Sequence, residues 1–157
     1  MTPHLLRPLT SRDWEPPKPP GFRIARMALL FQFVLHLGGA SWNLYRGVVR
    51  ISPEHLLQFL WDSVAYPAAV AALAGLAMWW LRAEREAGAW LGAGLVGVYG
   101  GRILVDALSG EGPYPSVSSR IVGQLFLGAF ASIFLCASVV LALAGRAFRK
   151  HEVTAEA

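Results

Sequence analysis

Apolar residues recur along this chain in four long blocks, at about 27–49, 62–83, 88–108 and 121–145, separated by short polar or turn-rich links. A helix needs about 20 apolar residues to cross a bilayer core, and each block reaches that length. The predicted fold is all-α: a polytopic membrane protein with four transmembrane helices in an antiparallel bundle over residues 24–150. Residues 1–23 form a proline-rich basic arm that includes Trp14-Glu-Pro-Pro-Lys-Pro-Pro-Gly21. Prolines at that density favour an extended polyproline conformation over a packed core. A short tail, 151–157, closes the chain.

The links carry their own signals. In Arg50-Ile-Ser-Pro-Glu-His55, Ser52 is placed to cap free amides and Pro53 suits the first helical position. The helical pattern then runs from Pro53 to Ala83, about 46 Å at helical rise, so residues 53–61 are expected at or beyond the interface. Pro67 removes a backbone donor and predicts a kink near Asp62 and Ser63. Arg82-Ala-Glu-Arg-Glu86 is short enough to force a tight hairpin, and Ser109-Gly-Glu-Gly-Pro-Tyr-Pro115 reads as a loop. Arg146, Arg149 and Lys150 are expected to stop the last helix at a membrane surface. In span count and in its short basic middle link the chain is similar to small four-helix families such as the DoxX-like proteins. That likeness covers topology and no diagnostic residue, so it implies no activity and no site.

Composition agrees with the pattern: 55% of residues are hydrophobic and only 15% charged. The net charge of +4 comes from basic residues that flank apolar blocks, which points to lipid headgroups and topology and not to nucleic acid. Arg7, Arg12, Lys18, Arg23 and Arg26, then Arg82 and Arg85, then Arg146, Arg149 and Lys150 all fall on one side of a four-span chain. The positive-inside rule places that side, and both termini, in the cytoplasm of a cell or inner membrane. The single cysteine, Cys136, excludes an intrachain disulfide and thiol-disulfide chemistry that needs cysteine pairs. It is expected to be core packing.

Polar residues inside the spans are the candidate chemistry, because they are costly in lipid. Gln32, His36, Asn43 and Arg46 share one face of the first helix, with Gly39. Tyr99, Arg102 and Asp106, spaced three and four apart, share a face of the third, beside Gly94, Gly97 and Gly101. Gln124, Gly128, Ser132 and Cys136 form a milder strip on the fourth. With Asp62 and Tyr66, the topology brings Arg102, Asp106, Tyr99, Arg46, Asn43 and Gln124 to similar depth in the outer half. These residues and His36 are the candidates for a ligand site or an interface. Arg102 can pair with Asp106 or Asp62, and Asp106 with Arg46, either to set helix register or as parts of an anion site or a proton-handling carboxylate. His36 is expected to hydrogen-bond Gln32 or another helix, since a bis-histidine haem would need a second histidine within the spans. No spacing defines a metal site or a catalytic set, no cofactor is specified, and the balance leans away from an enzyme.

Three functions suit such a chain. The first is a structural or assembly subunit of a larger membrane complex, with protein partners or copies of itself in the bilayer. The alternative is a lipid-, quinone- or small-molecule-handling protein that uses the outer-half polar cluster. The third is a minimal oligomeric transporter. Small multidrug exporters, however, carry a glutamate in the first span, where this chain has Gln32 and His36.

Overall fold

The computed structural model describes residues 18–110 and 117–156, the side chains of 151–156 excepted. Most of the basic arm, Trp14 included, and residues 111–116 of the loop lie outside the described residues. The described chain is helical throughout: α1 Phe22–Arg50, α2 Pro53–Arg82, α3 Glu86–Ser109 and α4 Val117–Glu156. All four are long and apolar enough to cross a membrane, as in a multi-pass membrane protein.

Local chemistry explains the helix ends. Gly21, at φ 82, turns the chain into α1. Pro53 opens α2 as expected, but the Ser52 hydroxyl caps nothing; the Ser52 carbonyl accepts the His55 N–H instead, at 3.0 Å. Residues 53–60 form a regular helix that runs on into the span, interrupted by one turn of π-helix at Trp61–Ala65. That turn falls where the kink was expected. A proline ring clashes with the carbonyl one turn earlier, and a widened turn relieves the crowding. Gly110, at φ 61, ends α3, and a side chain there would collide with Arg120 and Gln124. The expectation that Arg146, Arg149 and Lys150 stop α4 is corrected, because the helix continues to Glu156. Arginine and lysine are good helix formers, so they mark a surface without ending a helix.

The most extensive packing joins α3 to α4. On α3 the buried positions Ala89, Ala93, Val96, Gly100, Ile103 and Ala107 alternate four and three apart. On α4 Phe134, Ala137, Leu141, Ala144 and Phe148 do the same. Matching repeats of this kind let knobs enter holes along a whole seam. Gly100 is essential to it: a Cβ there would lie 2.9 Å from the Phe134 Cβ and 3.2 Å from the Leu135 N. The Ser138 hydroxyl crosses the seam and donates to the Ala93 carbonyl at 2.8 Å. The small-residue strip is therefore not the one the sequence pattern singled out. Gly97 does approach Ser138, but Gly94 and Gly101 face open space.

The link between α2 and α3 is very tight. Glu84 takes a left-handed φ of 54, and a Cβ on Gly88 would come within 2.5 Å of the Trp80 Cβ and 2.6 Å of the Leu81 N. Lys18 pairs with Glu84 at 2.8 Å, and the Phe22 ring meets the Phe148 ring edge-on at 6.2 Å. The start of α1, this link and the late part of α4 thus gather at one end, the link end. From there α2 and α3 part. Residues 53–65 of α2 pack on α1 and make no contact with α3. Large apolar side chains cover the outside, among them Trp42, Leu57, Val98 and Leu125. An apolar surface of that extent suits lipid, not water. Cys136 is also exposed, which corrects its expected place in the core; the helix turns Phe134 and Ala137 inward instead.

Two glycine substitutions separate close approach from ordinary helix propensity. Gly88→Val should lower stability by about 3 kcal/mol through overpacking against backbone. Gly101→Ala, in open space, should raise it by about 0.5–1 kcal/mol. Unfolding in mild detergent by denaturant titration checks both, and a Gly88→Val protein as stable as the parent would refute the tight link.

Candidate functional site

Because α2 and α3 part, a groove of about 390 Å³ opens between them with α1 as its floor. Tyr66 and Val70 of α2 form one wall, and Trp90, Leu91, Gly94, Val98, Tyr99 and Arg102 of α3 the other. Gln32 of α1 and Leu95 contribute to the floor. At the link end Trp90 is fixed by a bond from its Nε1–H to Glu86 at 2.8 Å. At the opposite end Arg102 is exposed on the rim.

The floor holds the polar chemistry. Gln32 is only 2% exposed. Its Nε2 donates to the Leu95 carbonyl at 3.2 Å, while its Oε1 is buried with no hydrogen-bond partner. One turn on, His36 Nδ1 lies 2.8 Å from the Gln32 backbone carbonyl. A carbonyl only accepts, so Nδ1 is the donor in this contact. The His36 ring packs edge-on against Tyr99 at 5.6 Å and Tyr66 at 6.4 Å, and Tyr99 packs in turn on Phe134 of α4 at 5.1 Å. Both tyrosines belong to the groove wall.

Donors and acceptors fare differently inside a helical membrane protein. Every helical carbonyl has a second lone pair, so a buried donor finds a partner easily. Ser41, Ser132, Ser138, Asn43 and the Gln32 amide all donate to backbone carbonyls. Backbone N–H groups are spent on the helices, so a buried acceptor has few protein partners. Leaving Gln32 Oε1 unpaired costs about 1–3 kcal/mol. Gln32 thus combines a place in the groove lining with an unpaired buried acceptor.

Among the sequence candidates, Tyr99, Arg102 and His36 gather around this groove. Asn43 acts elsewhere, at the kink of α2, where its Nδ2 donates to the Ser63 carbonyl at 2.8 Å. Ser63 lies four residues before Pro67, so its carbonyl lacks the usual helical donor. Asp62 is exposed in a shallow depression with Ile51, His55, Gln58 and Ser63. Arg46 and Asp106 are exposed, and Gln124 lies over Gly110 at the end of α3. Arg102, Asp106, Arg46 and Asp62 form no ion pair among the described residues, so the pairings Arg102–Asp106, Arg102–Asp62 and Asp106–Arg46 are not made. Tyr66 was placed in the outer-half cluster by sequence reasoning, but Gln32 was not singled out as a site residue. The signal was available in the polar stripe that Gln32 shares with His36, since a glutamine at mid-span must find partners for both ends of its amide. Among the described residues no three metal-ligating side chains come together.

No protein-family model, no curated protein and no solved structure matches this chain.

The Asn43–Ser63 bond is tested by a double-mutant cycle with Pro67. Asn43→Leu alone should cost about 1–2 kcal/mol, because it strands a carbonyl. Combined with Pro67→Ala, which restores an N–H at position 67, it should cost about 1 kcal/mol less. Equal costs in both backgrounds would show that Asn43 does not compensate for the proline.

Proposed function

We propose that this protein is a small multi-pass membrane protein that binds a lipid-like amphiphile, taken from the bilayer into the groove between α2 and α3. The observation that carries the reading is the buried, unpartnered Oε1 of Gln32 beneath a groove whose walls are otherwise apolar and aromatic. The groove is of ligand size and opens sideways to lipid through the gap between the two helices. Arg102 at the rim adds a cation for a polar or anionic group at the interface.

The test is purification of the full chain in mild detergent, followed by mass spectrometry of bound small molecules and proteins. A specific lipid or lipid-like molecule should co-purify. Gly94→Phe should displace it while the chain still folds, as read by its thermal midpoint, because Gly94 lines the groove and a Cβ there meets nothing within 4 Å. Retention of the same molecule by Gly94→Phe would sink the reading.

A second reading, a structural or assembly subunit of a larger membrane complex, draws on a different observation. Gly38, Gly39, Gly101 and Gly128 have open space where a side chain would stand, which suits close approach by helices of another subunit. Stoichiometric protein partners in the same eluate, with no small molecule, would favour it.

The proposed orientation has both termini in the cytoplasm, in an antiparallel arrangement within the cell or inner membrane. Arg23, Arg26, Arg82, Arg85, Arg146, Arg149 and Lys150 lie towards the link end, whereas Arg46, Arg50 and Arg120 lie towards the other. Reporter fusions after residue 157 should report the cytoplasm, and insertions at 111–116 the opposite side. A C-terminus outside the cytoplasm would overturn the orientation.

A further inference from the structure

We infer that the head group recognised in the groove is a hydrogen-bond donor on an aromatic ring, specifically a hydroquinone carrying an apolar tail. The inference deepens the binding reading above and rests on it.

The Gln32 amide decides the polarity of the match. Its Nε2 is already committed to the Leu95 carbonyl, so what it offers a ligand is Oε1, an acceptor alone. Rotating the amide by half a turn would set Oε1 against the Leu95 carbonyl, two acceptors facing each other, so the direction of the amide is fixed by its neighbour. A ketone, an ester or a phosphate brings further acceptors to this point and leaves Oε1 unpaired. A hydroxyl supplies the missing proton. A phenolic hydroxyl is the better fit, because the groove walls are aromatic. Tyr66 and Tyr99 line the groove, Trp90 stands at its link end, and the His36 ring packs edge-on against both tyrosines. A flat ring among them gains edge-to-face contacts that an aliphatic alcohol does not.

Charge and size agree with this choice. No charged side chain lies beside Gln32 in the groove lining, which favours a neutral head there, while Arg102 at the exposed rim is left to a polar group nearer the interface. The volume of about 390 Å³ accommodates a substituted ring and the first part of a tail, and the rest of the tail leaves through the gap into lipid. Oε1 is buried, so binding as proposed requires side chains to move and expose it. The reduced and oxidised forms of one prenylated ring differ in the property that matters here: two hydroxyl donors are exchanged for two carbonyl acceptors on nearly the same shape.

The test uses the full chain in nanodiscs of zwitterionic phospholipid, under anaerobic conditions. Three probes are compared: a hydroquinone with one isoprenoid unit, its oxidised diketone and its dimethyl ether. The readouts are ligand retained per protein and the thermal midpoint. The hydroquinone should half-saturate at a concentration about tenfold lower than either of the others. Gln32→Leu should reduce that preference to near unity, with a ligand-free thermal midpoint no lower than the parent's. Gly94→Phe should abolish retention of all three. Equal retention of all three probes that is lost in Gly94→Phe would overturn the donor inference and leave the groove reading standing. Retention that survives Gly94→Phe would overturn both. Displacement by anionic phospholipid, with sensitivity to Arg102→Ala and none to Gln32→Leu, would also overturn the inference in favour of a charged head at the rim. Failure of every probe to bind would overturn it as well, and co-purified lipid lost in Gly94→Phe would then keep the groove reading alive.

Discussion

Inside a bilayer a backbone carbonyl without its helical donor must find another donor within the protein, and the shape of this molecule depends on one such case. Pro67 leaves the Ser63 carbonyl without an N–H from its own helix. Asn43 of α1 supplies one, and the chain widens to a π-turn over Trp61–Ala65 as it passes. Both features draw the first half of α2 onto α1. Without them a helix of this length, joined to α3 by a three-residue link, would be free to follow α3 along its whole length. The groove is the space left by that diversion.

The other boundary of the groove is α3, which small residues hold rigidly in place. Gly88 lets it start almost in contact with Trp80 and Leu81, and Gly100 lets it press against Phe134 and the α4 backbone. Dispersion contacts, not a hydrophobic driving force, hold helices together in lipid, so each ångström of approach matters. The seam with α4 fixes one side of α3 and the tight link fixes its start. Its remaining face, with Gly94, Val98 and Arg102, is left to the groove. A rigid wall on α3 and a diverted wall on α2 give the site its width.

The polar groups divide by hydrogen-bond type. Serines, Asn43 and the Gln32 amide nitrogen all rest on carbonyls, which are plentiful along helices. The acceptor Gln32 Oε1 cannot use that reservoir. The charged residues Arg46, Asp62, Arg102 and Asp106 are exposed and form no ion pair among the described residues. Among the polar residues of the apolar helices, the neutral Gln32 is thus buried with an unmet acceptor, whereas the arginine and aspartate that stand out in the sequence are exposed.

The sequence by itself made legible the helical class, the number of long apolar helices, the tight link and the break at Pro67. Each of these follows from composition or from a local rule of backbone chemistry, so a few neighbouring residues suffice to read it. It also showed that Gln32, His36 and Asn43 share a face. Only the tertiary structure decided which of them completes a kink and which floors a groove, because that depends on whether Ser63 or Leu95 stands opposite. It likewise decided that Gly88 and Gly100, not Gly94 and Gly101, bear the close contacts, and that Cys136 faces outward. A helical repeat says which residues share a face, but the direction of that face is set by the neighbours it meets.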